Sequence, residues 1–243
     1  MRIFSKILSI TFIVLLVLSL CLNVVIAVSS SQVSTFTNNE DSRRNVFYTS
    51  QNKLSNSEEL TIISKAPYTQ GSAGQVAEDK ITCAVKKENT TPEYECSMIS
   101  KLYNADSSLA RTSYFPGDGY QYTVEGENKT KSAYPNTSLV TYFTALIGGA
   151  QTYMSYLILD NSLIETYKMY YETKISFSFG QFTLSKQIDV NYNVNEENLK
   201  IELSFNSRDY ITKVVDPKLG SSLDISYSKI NLEFPVFAGF TSI

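Results

Sequence analysis

Residues 167–179 read Tyr167-Lys168-Met169-Tyr170-Tyr171-Glu172-Thr173-Lys174-Ile175-Ser176-Phe177-Ser178-Phe179. Apart from Thr173, apolar or aromatic side chains hold the odd positions, and Lys168, Glu172, Lys174, Ser176 and Ser178 lie at even ones. After Gly180-Gln181 the even positions take over with Phe182, Leu184, Ile188, Val190, Tyr192 and Val194. A period of two means strands with one dry face and one wet face. Strands this long exceed the usual five or six residues and predict a large curved sheet. No catalytic residue set accompanies them.

Working back along the chain, Leu139 to Leu157 predicts a helix, capped by Asn136 or Ser138. Its apolar residues are too dense for an exposed helix, so it should lie against the sheet. Gly148-Gly149 in its middle costs roughly 2 kcal/mol of helix propensity, and predicts a kink or a break into two helices. Upstream, strands are expected from Leu60, around Cys83, around Cys96, at Arg111–Phe115, Tyr120–Val124 and Lys129–Tyr134, with Pro116-Gly117-Asp118-Gly119 as a turn. Downstream, Leu199–Phe205 and Tyr210–Val215 alternate. The last expected strand starts with Leu223, Ile225 and Tyr227, then changes phase to Ile230, Leu232 and Phe234, as a β-bulge at Ser228-Lys229 would cause. The class is therefore α+β: a large curved antiparallel sheet, an unclosed half-barrel, partly wrapped around a helical segment.

The N-terminus carries Arg2 and Lys6 ahead of an apolar run to about Val28. Residues 1–27 are expected to be a signal peptide cleaved after Ala27, or an uncleaved signal anchor. A third reading is lipidation at Cys21, although Leu20 is bulky where lipidation sites take Gly, Ala or Ser. Residues 28–44, rich in Ser, Thr, Asn and Gln, are expected to be a disordered spacer, and 45–243 one domain. Residues 52–60 are open between a helical turn and a loop. The setting is secreted or extracytoplasmic, with a tether to the membrane possible through the N-terminal segment.

Without Arg2 and Lys6, 19 basic and 24 acidic residues remain, a net charge of −5. That acidity, with no basic run, excludes nucleic acid as a partner and gives no electrostatic hold on anionic headgroups. There is no histidine, so Ser-His-Asp, Cys-His and His-metal sites are absent. Glu58-Glu59 and Glu196-Glu197 read as solvated surface, and Asp118 as turn chemistry. We expect no catalytic residue, no metal and no cofactor. Cys83 and Cys96 flank a polar turn and come opposite one another if the turn centres on Asn89-Thr90. They form either a cross-strand disulfide or a pair of buried thiols. Asn89, Asn128 and Asn136 are sequons that matter only in a eukaryotic source.

Seventeen tyrosines and no tryptophan suit a cavity wall that is apolar yet can donate hydrogen bonds. The candidate lining is Tyr142, Leu146, Tyr153, Met154 and Leu157 on the helix, with Tyr167, Met169, Tyr171, Ile175, Phe177 and Leu184 on the long hairpin. For any single aromatic, ordinary core packing is the competing account.

Tyr114-Phe115-Pro116-Gly117-Asp118-Gly119-Tyr120-Gln121-Tyr122, the following Lys129-Thr130-Lys131, and Ile225-Ser226-Tyr227-Ser228-Lys229-Ile230-Asn231-Leu232-Glu233-Phe234-Pro235 resemble the aromatic-turn-aromatic hairpin and closing strand of the LolA/LppX-type lipoprotein-carrier fold. The relatives in view are Gram-positive exported lipoproteins, and the likeness spans roughly residues 45–237. It implies an unclosed barrel over a helix with an apolar cavity for a lipid, an acyl chain or a lipidated peptide. The expected function is noncatalytic binding of such a molecule, with a membrane surface as a possible partner and any protein partner unknown. The alternative is a secreted or cell-surface module that binds a protein or glycan through loops 68–75 and 116–119 or a sheet edge.

Overall fold

The computed structural model describes residues 40–86, 93–158, 169–178, 181–194 and 197–243, and for 86 and 169–199 the backbone alone. Its elements in chain order are α1 (Glu40–Asn56), β1 (Glu59–Pro67), β2 (Val76–Lys86), β3 (Glu93–Tyr103), β4 (Leu109–Phe115), β5 (Tyr120–Glu125) and β6 (Asn128–Ala133). Then come α2 (Asn136–Met154), a 3-10 turn (Ser155–Ile158), β7 (Met169–Ser178), β8 (Gln181–Val194), β9 (Glu197–Asn206), β10 (Ile211–Asp216), β11 (Ser221–Ser226) and the two-residue β12 (Thr241–Ser242).

The strands form one sheet in the order β12-β6-β5-β4-β3-β2-β1-β11-β10-β9-β8-β7. It consists of two antiparallel meanders, β1–β6 and β7–β11, joined where β1 pairs with β11 from Thr61↔Ser226 to Lys65↔Ser222. The sheet curves around α2 and does not close into a barrel, since β7 and β12 are its two edges. The long hairpin pairs from Met169↔Val190 to Ser178↔Gln181, so two residues connect β7 to the 14-residue β8.

Alternation puts Leu60, Ile62, Ile81, Cys83, Cys96, Met98, Phe115, Leu203, Phe205, Val214 and Ile225 on the inner face, all buried. Leu139, Phe143, Ala150 and Met154 of α2 cover them, with Leu157 and with Val46, Phe47 and Leu54 of α1. These helical positions repeat at three or four residues and make the dry stripe. Phe143, 1% exposed, stabilises by about 2–3 kcal/mol through apolar burial. Cys83 lies opposite Cys96 in the β2–β3 register and is bonded to it as a disulfide.

Four expectations need correction. First, α2 runs unbroken through Gly148-Gly149, because tertiary packing on both sides of the pair outweighs its low propensity. Second, neither Asn136 nor Ser138 caps α2. Pro135 holds that position, with no side-chain cap. Asn136 instead serves β3 beyond the end of β4: its Nδ2 donates to the Tyr94 carbonyl at 3.0 Å, and its Oδ1 accepts from the Cys96 N–H at 3.3 Å. Third, residues 40–44, expected in the spacer, form the first turn of α1, where Arg43 is 1% exposed. The rest of the spacer and the N-terminal segment lie outside the described residues. Residues 52–56, left open above, complete the same helix.

The fourth correction concerns the last strand. β11 ends at Ser226, and the chain then leaves the sheet edgewise and crosses its outer face as a strap. Thr61 Oγ1 donates to the Ser228 carbonyl at 2.8 Å and accepts from the Ile230 N–H at 3.1 Å. Phe237 stacks on Tyr122 with ring centroids 3.9 Å apart and planes at 11°, while Phe234 and Phe237 both touch the Tyr114 ring. Phe240 meets Tyr122 edge-on. The strap ends as β12, pairing in parallel with β6 at Thr241↔Thr130 and Ser242↔Lys131. The change of phase after Tyr227 is thus the point where the chain stops pairing and starts lying on the sheet, not a bulge.

Candidate functional site

Two flanks of α2 border its buried stripe. One faces α1, where Gln151 Nε2 donates to Ser55 Oγ at 3.0 Å. The other carries Tyr142, Leu146, Gly149 and Tyr153, spaced by four, three and four residues and therefore in line. Both tyrosines reach down to the sheet. Tyr142 donates its hydroxyl to Asp79 Oδ2 of β2 at 2.5 Å, and Tyr153 donates to Asp216 Oδ2 of β10 at 2.9 Å. β1 and β11 lie between those two strands, so the anchors stand three strand spacings apart, about 14 Å.

Between the anchors the wall is Leu146 and Gly149, and the inner-face positions beside it are the small Ser64 and Ala66 of β1 and Ala77 of β2, with the larger Leu223 of β11. Leu146, Gly149, Ala66, Ala77 and Leu223 are all half-buried. No described atom lies within 4 Å of where a Cβ on Gly149 would stand. These half-buried positions make an apolar strip beside α2 that ends at the Tyr142–Asp79 and Tyr153–Asp216 bonds, the candidate groove.

The electrostatics follow from the anchors. Burial, reinforced by the nearby Asp79 carboxylate, raises the Tyr142 hydroxyl well above the ordinary phenol range. Tyr134 is raised for the same two reasons, burial first. Both hydroxyls thus stay protonated, and that of Tyr142 donates to Asp79. Asp216, 5% exposed, also accepts from the Leu219 N–H at 3.0 Å. Asp79 is less complete: its Oδ1 is buried and has no hydrogen-bond partner among the described residues.

The candidate lining divides four ways. Tyr142, Leu146 and Tyr153 come together on the open flank. Met154 and Leu157 have no exposed surface and pack in the core cluster. Tyr167 lies outside the described residues. Met169, Tyr171, Ile175 and Phe177 fall on β7 and Leu184 on β8, with Ile175 opposite Leu184 in register. That hairpin is the outer part of the far wing, two strands beyond β10. The tyrosine hydroxyls expected to meet a ligand are already committed to Asp79 and Asp216. Sequence reading missed both aspartates, although their place at inward positions of amphipathic strands was the available signal.

The loop chemistry is structural. Asp118 accepts from the Tyr120 N–H at 3.0 Å and from the Tyr122 hydroxyl at 2.8 Å, which holds the 116–119 turn. Among the described residues no group of three or more His, Cys, Asp or Glu could hold a metal ion, and no helix is long and apolar enough to cross a membrane.

No family model matches this sequence, and no curated protein matches it. Among solved structures, LprF from Mycobacterium bovis is similar at 10% identity and a TM-score of 0.38, over 81% of this chain and 97% of that one. A putative outer membrane lipoprotein-sorting protein domain from Vibrio parahaemolyticus shows 10% identity and a TM-score of 0.16, over 80% of this chain and 94% of its own. Likenesses of this size carry no argument for what this chain binds.

Proposed function

We propose that this chain is an extracytoplasmic, noncatalytic binding protein that holds the acyl chain of a lipid or lipidated molecule in the groove beside α2. The observation that supports the reading is that no described atom lies within 4 Å of a Cβ placed on Gly149, between two tyrosine–aspartate anchors on a helix flank that is apolar yet only half-buried. A small-residue floor lets an extended chain lie close to the sheet. Each methylene removed from water there contributes about 0.8 kcal/mol, so some ten methylenes offset the cost of association and leave useful affinity.

The test is native mass spectrometry of the protein purified without detergent and then incubated with mixed membrane lipids. Bound lipid near one per protein is expected, with loss of that lipid in a folded Leu146→Glu variant. A protein that stays free of lipid, or a Leu146→Glu variant that retains it, removes the groove as the site.

A further inference from the structure

We propose, on the basis of the function proposed above, that Asp79 is the head-group acceptor of the groove, and that it selects lipids whose head donates a hydrogen bond over lipids with an anionic head. One carboxylate oxygen at this end of the groove lacks a hydrogen-bond donor among the described residues. Asp79 Oδ2 accepts from Tyr142, but Asp79 Oδ1 is buried and accepts from none of the described residues. A buried acceptor without a donor costs on the order of 1–3 kcal/mol, and such groups in folded proteins usually have a partner. Oδ1 is on the inner face, in the row that runs Ser64↔Asp79↔Ser100 across β1, β2 and β3, at the groove end marked by Tyr142.

The neighbours settle the sign of the preferred head. Tyr142 and Tyr134 stand by as hydroxyls held in the protonated form, with the Asp79 charge one of the causes. Among the described residues no cation pairs with Asp79. Arg111, on the same face in β4, lies over the Tyr68 ring at 5.7 Å. Lys65, one row along β1, points to the opposite face and pairs with Glu78 at 2.7 Å. A carboxylate or phosphate head would therefore meet a like charge with no cation to offset it, in partly desolvated surroundings. A hydroxyl or ammonium head would supply the donor that Oδ1 lacks.

The experiment compares monopalmitin, hexadecylamine and palmitate as probes against the full protein, read as dissociation constants from native mass spectrometry and dye displacement. Monopalmitin and hexadecylamine should each bind at least about tenfold more tightly than palmitate. In Asp79→Asn the gap should shrink to about threefold or less, chiefly because palmitate gains. Tyr142→Phe keeps the carboxylate and should keep the preference, which separates loss of charge from loss of fold. If no probe binds, the groove reading itself fails. If palmitate binds as well as monopalmitin to the unaltered protein, or Asp79→Asn leaves the preference unchanged in a folded variant, the groove stands and Asp79 is not its head-group acceptor.

Discussion

Tyr153 of α2 and Asp216 of β10 are joined across the interior by a 2.9 Å hydrogen bond, with Asp216 only 5% exposed. The bond fixes where the C-terminal half of α2 sits on the far wing of the sheet. Tyr153→Phe keeps the ring and removes the donor, leaving Asp216 Oδ2 without it. We expect a loss of about 1–3 kcal/mol in urea unfolding. In a double-mutant cycle with Asp216→Asn, the two losses should combine to less than their sum. Strict additivity would mean that the two groups do not interact.

Gly149 offers a test that separates folding from binding. Nothing described lies within 4 Å of its missing Cβ, so Gly149→Ala should fit and raise stability by about 1 kcal/mol through helix propensity. Gly149→Phe fills the groove instead. It should leave the thermal midpoint at or above that of the parent while abolishing lipid retention. Retention with the ring in place would locate the ligand elsewhere.

Tyr227 makes the alkaline limb of stability readable. Its hydroxyl is buried with no hydrogen-bond partner among the described residues, and burial raises it above the ordinary phenol value of about 10. Folded protein then holds its proton where unfolded protein has lost it. Stability is fully present below pH about 10 and falls as pH rises beyond that. Tyr227→Phe should flatten part of this fall, with Tyr142 maintaining the rest. It should also add about 1 kcal/mol at neutral pH, because an unsatisfied buried group is gone. Urea midpoints between pH 8 and 11 measure both effects; identical slopes in parent and variant would contradict the assignment.

The strap depends on one ring above others. Phe237 stacks on Tyr122, which is 6% exposed beneath it. Phe237→Ala should cost about 1–3 kcal/mol. It should also increase hydrogen exchange at β6, whose free edge β12 covers. Exchange that rises evenly through the sheet would mean that the strap has no local role.

The strands were legible because alternation is a property of each strand alone. Cys83 opposite Cys96 followed from a symmetric hairpin, and α2 from a helical run too apolar to be exposed. α1 was hidden because its apolar residues are sparse: Val46, Phe47 and Leu54 share its buried face with Arg43 and Ser50. Its readable signals were the acidic first turn at Glu40 and Asp41 and the Glu40–Arg44 pair. The strap was misread for a different reason. Ile230, Leu232 and Phe234 are half-buried between exposed neighbours, which is genuine alternation. Alternation reports an extended chain with one dry side, and that side can rest on a sheet face as readily as join a ladder. The groove was half legible: Tyr142, Leu146 and Tyr153 were found by their helical positions. Asp79 and Asp216 gain meaning only when α2 lies over them, a long-range relation that no local pattern carries.

The β1–β11 junction has a consequence for the order in which the molecule can assemble. Each meander is built from neighbouring hairpins, which zip locally and fast. Joining them closes a loop from Thr61 to Ser226, a contact of long range and correspondingly late. α2 crosses that junction on the inner face and the strap crosses it on the outer face, so both act as clasps that can engage only after the two halves meet. The cheapest large opening of the folded protein is then a parting of the halves along this line, with each half still zipped, and the groove beside α2 lies across the line that would part.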